Sequence, residues 1–321
     1  MARYLIRRIV QSVVMMFVMS IIFFALIHLI PGGPTAVLFS PHLTKAARDN
    51  LTHVYGLDQP VYMQYLIWLG KFVRGDFGNS FVNGLTVSSE IFGRLPATLE
   101  LLLSALAFAL VFAILLGVTA AVRQYSLADY TTTVLAYVGI SMPVFAFAII
   151  LQEVFGVKLG WLPTFSNQSP ITDGFTPFDF FLDGLVHLIL PTIALSLLFI
   201  AVWSRYLRSS MLDVVKQDYI RTARAKGLSS RLVFFRHALR NALIPLTTQV
   251  AIDVGGVFSG AVITETVFAW PGLGRLFYDS LEARDYPVLL AMLMISTASV
   301  IFFNLVADVL YSVLDPRIRY S

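Results

Sequence analysis

The sequence predicts an all-α polytopic membrane protein with six transmembrane helices and both termini cytoplasmic. Three observations predict it. Hydrophobic residues fill 57% of the 321 positions and charged residues only 13%, against about 25% charged in a soluble domain. The apolar residues gather into six runs, each near the roughly 20 residues that carry a helix across a hydrocarbon core. The basic residues crowd between alternate runs. Mean hydropathy is +0.77, and so little charge cannot cover a soluble 35.7 kDa globule. The same composition excludes disorder. With no cysteine, a disulfide framework, a thiolate zinc site and a cysteine nucleophile are all excluded. The isoelectric point near 9.3 would suit a nucleic-acid binder, but the basic residues lie in loops between apolar runs, so no nucleic-acid partner is expected.

The first span runs from Ile9 to Ile30 and ends at Pro31-Gly32-Gly33-Pro34. Its apolar run is too long for a signal peptide and no small-x-small site closes it, so it is expected as an uncleaved helix. Residues 1–30 thus form the N-terminus and first helix, and 31–99 an external segment. That segment holds Tyr55-Gly56-Leu57-Asp58-Gln59-Pro60, an amphipathic stretch from Tyr62 to Phe72, and Arg74-Gly75-Asp76-Phe77-Gly78 with two turn glycines. A small packed cap of short helices is the plainer reading of it, and a docking surface for an external partner the functional one.

Residues 100–321 form the transmembrane core. The second span, Leu101 to Val122, has Ser104 and Thr119 as its polar residues; the third is Thr131 to Phe155 and the fourth Leu185 to Ser204. The fifth, Ala242 to Thr264, is the least apolar. It carries Gln249, Asp253 and the small residues Gly255, Gly256, Ser259 and Gly260. Small residues let helices approach closely and polar ones avoid lipid, so Gln249, Asp253 and Ser259 are the candidate pore-lining residues. The sixth span is Val288 to Leu314.

Six spans place both termini on one side, and Lys and Arg choose the side. That side carries 15 of the 23 basic residues on a short length of chain, the other 8 on a much longer one. The richer side, with both termini, is expected to be cytoplasmic.

Nine of the 15 fall in the loop at 205–241, which is too long for a plain turn. Asp218 suits an N-cap for a helix from Tyr219. Gly227 suits a left-handed C-terminus, and Ser229 or Ser230 can cap a second helix. There Leu228, Leu232, Phe235 and Leu239 recur as one apolar face, with Arg231, Arg236 and Arg240 on others. The result is a helix-turn-helix under the membrane, with Ala223, Ala225 and Gly227 at its corner small enough for another protein's backbone to approach. A basic stretch bound to anionic membrane lipid explains the arginines but not the corner.

Arg221-Thr222-Ala223-Arg224-Ala225-Lys226-Gly227, within Asp218 to Pro245, resembles the EAA loop of ABC importer permeases, most closely the dipeptide and oligopeptide version. Arg221 and Thr222 stand for the usual Glu and first Ala, Ala223 and Gly227 match, and Arg240 stands where the general pattern has Pro. Leu29-Ile30-Pro31-Gly32, Gly56 to Pro60, Gly75 to Gly78, Thr264 to Phe268 with Trp270 to Gly274, and Asp315 to Tyr320 are similar to other stretches of that subfamily. Together, in order, they cover essentially the whole chain, and the long segment after the first helix resembles the dipeptide B-type subunit.

The resemblance implies a type I importer permease fold in a bacterial or archaeal plasma membrane. It implies a second permease subunit, two cytoplasmic ATPases and an external solute-binding protein. The loop would then be a coupling helix presenting Asp218, Tyr219, Arg221, Thr222, Ala223, Ala225, Gly227 and Leu228 to one ATPase. No cofactor is expected, and with no Gly-rich Lys-Ser/Thr loop in the sequence ATP binding belongs to partners. A secondary transporter would call for paired ionisable groups near the midplane, where Asp253 alone is a candidate. An intramembrane protease would pair Ser with His, yet Ser141, Ser196, Ser259, His28 and His187 lie in no Gly-x-Ser-x-Gly setting. Dipeptides or oligopeptides are the expected cargo, with nickel chelates, glutathione or sugars as alternatives.

Overall fold

The computed structural model describes residues 2–30, 52, 53, 56 and 58–314. The motifs at Pro31 to Pro34 and Asp315 to Tyr320, and Tyr55 and Leu57, lie outside the described residues. The described chain is helical: α1 (Ala2–Leu29), α2 (Val61–Val73), α3 (Val87–Val122), α4 (Leu127–Ser141), α5 (Val144–Leu151), α6 (Pro177–Val215), α7 (Asp218–Ala225), α8 (Arg240–Val267), α9 (Leu273–Ala283) and α10 (Tyr286–Leu314). Ser230–Leu232 and a π-helical stretch Val233–Leu239 lead into α8.

Among the described residues, four helices are long and apolar enough to cross a membrane, within Ile6–Leu29, Val87–Val122, Pro177–Val215 and Tyr286–Val309. A fifth is added if α4 and α5 count as one broken span. The expected third span is therefore not one helix. α4 stops at Ser141, Met142 is extended (φ −84, ψ 124), and the chain bends by 106° before α5, which runs on as a π-helix over Gln152–Lys158. Pro143 is the cause: it has no N–H to donate, and its ring drives the preceding residue out of the helical region. α8, the expected fifth span, is 28 residues long but carries Arg240, Asn241, Gln249 and Asp253 and is not among the four.

α6 extends past the expected Leu185 to Ser204 at both ends. Thr176 caps it in a reciprocal capping box with Asp179, and Pro177 takes the first helical position. At 39 residues it is about 58 Å long, nearly twice the hydrocarbon core. It is therefore longer than a crossing needs, and its C-terminal end leads into α7.

The chain divides into two compact units. One takes residues up to Pro96 with Gly272–Ile301. Its core joins Phe24 and Ile27 of α1 to Tyr286, Leu289 and Leu290 of α10, with Tyr65 and Trp68 of α2 packed against them. Gly75 and Gly78 hold φ of +80 each, as turn glycines should. The following loop is pinned by Asp285, 3% exposed, which accepts from the Ser80 hydroxyl and, at 3.0 Å, from the Phe81 amide. α2 contacts the unit, but no residue of it is buried, so the packed-cap reading of this segment holds only in part.

The other unit comprises Ala97–Pro271 and, among the described residues, 302–314. Lipid tails are as apolar as leucine, so close packing and hydrogen bonds hold such helices together. Ala105, Ala109 and Ala113 give α3 a fully buried face of small side chains at helical spacing. A Cβ on Gly117 would stand 2.8 Å from the Ser204 carbonyl oxygen, so α3 and α6 meet there at glycine distance. Thr98 donates to buried Glu265 at 2.8 Å, and the Trp270 indole donates to the Ala97 carbonyl at 2.8 Å.

Candidate functional site

The loop predicted to hold the helix-turn-helix is built from α6 outward. α6 continues to Val215, so the first third of the predicted loop is helix. Asp218 does not cap α7. Gln217 occupies the cap position without a side-chain bond, and Asp218 is the first helical residue. Its carboxylate sits where the helix dipole favours a negative charge and lies 3.4 Å from the Arg221 guanidinium, both exposed. Ile220 and Ala223 are the buried residues of α7 and join the core around Trp203 and Leu207. Tyr219, Arg221, Thr222, Ala225 and Leu228 are exposed. Of the predicted coupling residues, Ala223 therefore faces its own chain.

The corner is as the sequence predicts. Gly227 has φ +76. Its amide donates to the Arg224 carbonyl at 2.9 Å, and the Leu228 amide to that of Ala223 at 3.4 Å. These two bonds form a Schellman motif, which satisfies the last carbonyls of α7. A Cβ built on Gly227 meets nothing within 4 Å, so conformation, not crowding within the chain, selects glycine. Ser229 then caps the next helix by accepting from the Leu232 amide at 3.4 Å.

Of the predicted apolar face beyond the corner, Leu239 packs against the core around Trp203 and Leu207 but the other three do not. Leu228, Leu232 and Phe235 remain 36%, 38% and 54% exposed, while Val233 and Ala238 are buried. The reason is the π-helical stretch Val233–Leu239, whose i→i+5 bonds bring residues five apart onto one face. Beside it Tyr219, Arg236, His237, Arg240 and Asn241 line an open recess of about 620 Å³, with no acidic side chain among them.

Above this corner α6 is tied to α4. The Arg208 guanidinium donates to Asp129 through Nε at 2.6 Å and a terminal nitrogen at 2.8 Å. Asp129 is 3% exposed, and its second oxygen also accepts from the Tyr125 amide at 2.9 Å. Arg205, one turn earlier, lies 4.6 Å from the centroid of the Tyr137 ring. Sequence reasoning counted both arginines as loop charges.

In α8, Asp253 accepts from the Gln249 amide at 2.9 Å and from the buried Trp203 indole of α6 at 2.6 Å. Two of the predicted pore residues are thus joined, and Trp203 is the partner that sequence reasoning missed. Ser259 lies on α8, its side chain outside the described residues. Both Asp253 oxygens are occupied, which makes the residue a tie between α6 and α8.

Residues 113–320 match the family described as the inner-membrane component of binding-protein-dependent transport systems, and residues 1–102 match its N-terminal region. The chain belongs to that family. As a transport-system inner-membrane component it is a multi-pass membrane protein, and the resemblance drawn from Arg221 to Gly227 and its companion motifs is borne out. The chain is 44% identical over 321 residues to the oligopeptide transport system permease protein AppB of Bacillus subtilis (strain 168), with 100% of both chains covered. It is 38% identical over 333 residues to the dipeptide transport system permease protein DppB of Alkalihalophilus pseudofirmus, again covering both chains fully. It is 38% identical over 321 residues, at the same coverage, to the glutathione transport system permease protein GsiC of Escherichia coli (strain K12).

Proposed function

We propose that the chain is one of two permease subunits of an ATP-binding-cassette importer for dipeptides or oligopeptides. An external solute-binding protein delivers the cargo, and two cytoplasmic ATPases drive it. The full-length likeness to peptide-system permeases carries this reading. The corner at Gly227 supports it locally: α7 projects from the end of α6, leaves Tyr219, Arg221, Thr222, Ala225 and Leu228 open to a partner, and adjoins a basic recess suited to acidic side chains. In this reading ATP-driven movement of a docked ATPase reaches the core through Ile220 and Ala223. Asp218, paired with Arg221, orients the outer face of α7. Gln249, Asp253 and Ser259 are assigned to the translocation path or its border with the second permease.

Reconstituted with both ATPases, the second permease and its binding protein, the chain should take up a labelled tripeptide only when ATP and binding protein are both present. The chain alone should hydrolyse no ATP. Uptake driven by a proton gradient without ATP would reject the reading in favour of a secondary transporter. A second reading, glutathione import, rests on the full-length likeness to the glutathione permease. It would show as glutathione uptake that excess dipeptide does not reduce.

The proposed topology has six spans, counting α4–α5 as one and α8 as another, with both ends cytoplasmic. Single cysteines in this Cys-free chain test it with an impermeant thiol reagent applied to intact cells. Asn79→Cys should label and Ser229→Cys should not; the opposite pattern would invert the orientation.

A further inference from the structure

α2 carries one charge, Lys71, in its 13 residues and buries none of them. Val61, Leu66, Ile67 and Val73 are 53%, 57%, 46% and 77% exposed. In water this is an apolar patch of a kind monomers avoid; at a bilayer surface it is a helix lying in the interface. The placement of α2 agrees, since it packs through Tyr65 and Trp68 against Phe24, near the end of the α1 span, and against Tyr286, where the α10 span begins. Tyr and Trp at that level are interfacial residues.

Between α2, the end of α1, the turn at Asp76 to Phe81 and the start of α10 lies a cavity of about 450 Å³, within the usual size of a ligand site. Its apolar wall includes Phe24, Ile27, Trp68 and Leu290. Tyr286 also lines it. That side chain is 2% exposed, and its hydroxyl is buried with no hydrogen-bond partner among the described residues. Such an orphan is rare in a folded protein and calls for a missing partner atom. Lys71 and Asp76 stand at the cavity without an ion pair to any described residue. Asp76 has one oxygen bonded to the Gly78 amide at 3.0 Å. His28 and Gln64 face each other at 3.1 Å and close one side.

We propose that this cavity binds the glycerophosphate end of an aminophospholipid. The Lys71 ammonium takes the phosphate, Asp76 takes the headgroup amine, and the Tyr286 hydroxyl donates to an ester oxygen. The acyl chains leave along Phe24, Ile27 and Leu290 toward the exposed side chains of α2. A headgroup with phosphate and no amine leaves Asp76 without a partner, so phosphatidylethanolamine should be held in preference to phosphatidylglycerol. A zwitterionic peptide carries the same two charges, but it does not need the apolar wall or the exposed face of α2. The proposal depends on α1 and α10 spanning the membrane and is independent of the cargo.

The full-length chain, assembled with its partner subunits in nanodiscs of equal phosphatidylethanolamine and phosphatidylglycerol, tests it. Native mass spectrometry reads retained lipid, and a photoreactive phosphatidylethanolamine reads the site. Wild type should retain phosphatidylethanolamine selectively and crosslink within α2 or at Tyr286 to Leu290. Lys71→Gln, at an exposed position, should lower retention about tenfold, as expected for one charge-assisted hydrogen bond. Tyr286→Phe should lower it less, and Leu290→Trp should block crosslinking by filling the cavity. Equal retention of the two lipids, or retention unchanged in Lys71→Gln, would overturn the proposal. Displacement of the label by a soluble tripeptide would overturn it in favour of a peptide site.

Discussion

Arg208→Ala is expected to lower the thermal stability of the chain by about 3 kcal/mol, the low end of what removing one partner of a buried ion pair costs. The Arg208 side chain is 28% exposed and that of Asp129 only 4%. Losing the guanidinium thus strands a carboxylate that water barely reaches, and that stranded charge is the larger part of the effect. The low end of the range applies because Arg208 itself is partly solvated. Arg208→Lys should recover only part of the loss, since an ammonium cannot reproduce the two parallel N–H bonds at 2.6 and 2.8 Å. Arg208→Gln with Asp129→Asn should be less destabilised than Arg208→Ala, because no uncompensated charge remains. Thermal unfolding of the detergent-purified chain measures all three. A melting temperature for Arg208→Ala equal to wild type would remove Arg208–Asp129 from the account of how α4 is held to α6.

That pair also shows where the sequence stops being legible. The apolar runs of α1, α3, α6 and α10 could be read because a membrane helix announces itself locally, through length and composition. Gly227 could be read for a similar reason: a glycine closing a short helix points to a left-handed cap whatever the rest of the fold does. Arg208 and Asp129 are 79 residues apart, and Trp203 and Asp253 are 50 apart; no local pattern joins either pair. Arg208 read as a loop charge because its apolar neighbours give out near Ser204, yet packing of Leu207, Met211, Val214 and Val215 against the core carries α6 on to Val215.

Other signals were present and outweighed. Thr176-Pro177 with Asp179 spells a helix start, but the polar residues around it mask the helix in an apolar window. Pro143 marks the break between α4 and α5, inside a run whose composition reads as one span. The face of Leu228, Leu232, Phe235 and Leu239 assumed a period of 3.6. The π-helical stretch Val233–Leu239 has a longer period, which composition does not reveal.

Gly227→Leu is expected to abolish ATP-dependent uptake while leaving the amount of inserted protein near normal. The two halves of this expectation have separate causes. Within the chain, a side chain at φ +76 costs about 1 kcal/mol of backbone strain. No atom lies within 4 Å of the added Cβ, so the side chain starts into open space, away from the core around Trp203 and Ile220. Outside the chain, the same open space is where the proposed ATPase approaches, and a leucine there keeps the partner from seating. Gly227→Ala separates the terms, since it carries the strain with little bulk and should retain much of its uptake. Ala223→Asp is a poor probe of docking: Ala223 is 8% exposed and belongs to the core, so a carboxylate there destabilises the chain itself. Ala225→Asp, on an exposed position of the same helix, tests the surface without that complication and should reduce co-purification of the ATPase. Arg231→Gln, exposed beyond the corner, should change little, whereas a loop serving only to bind anionic lipid would depend on Arg231 and tolerate Gly227→Leu. Vesicles holding the full complex, assayed for peptide uptake and for retained ATPase, read both. Full uptake in Gly227→Leu with a large loss in Arg231→Gln would end the assignment of α7 and its corner as the coupling element.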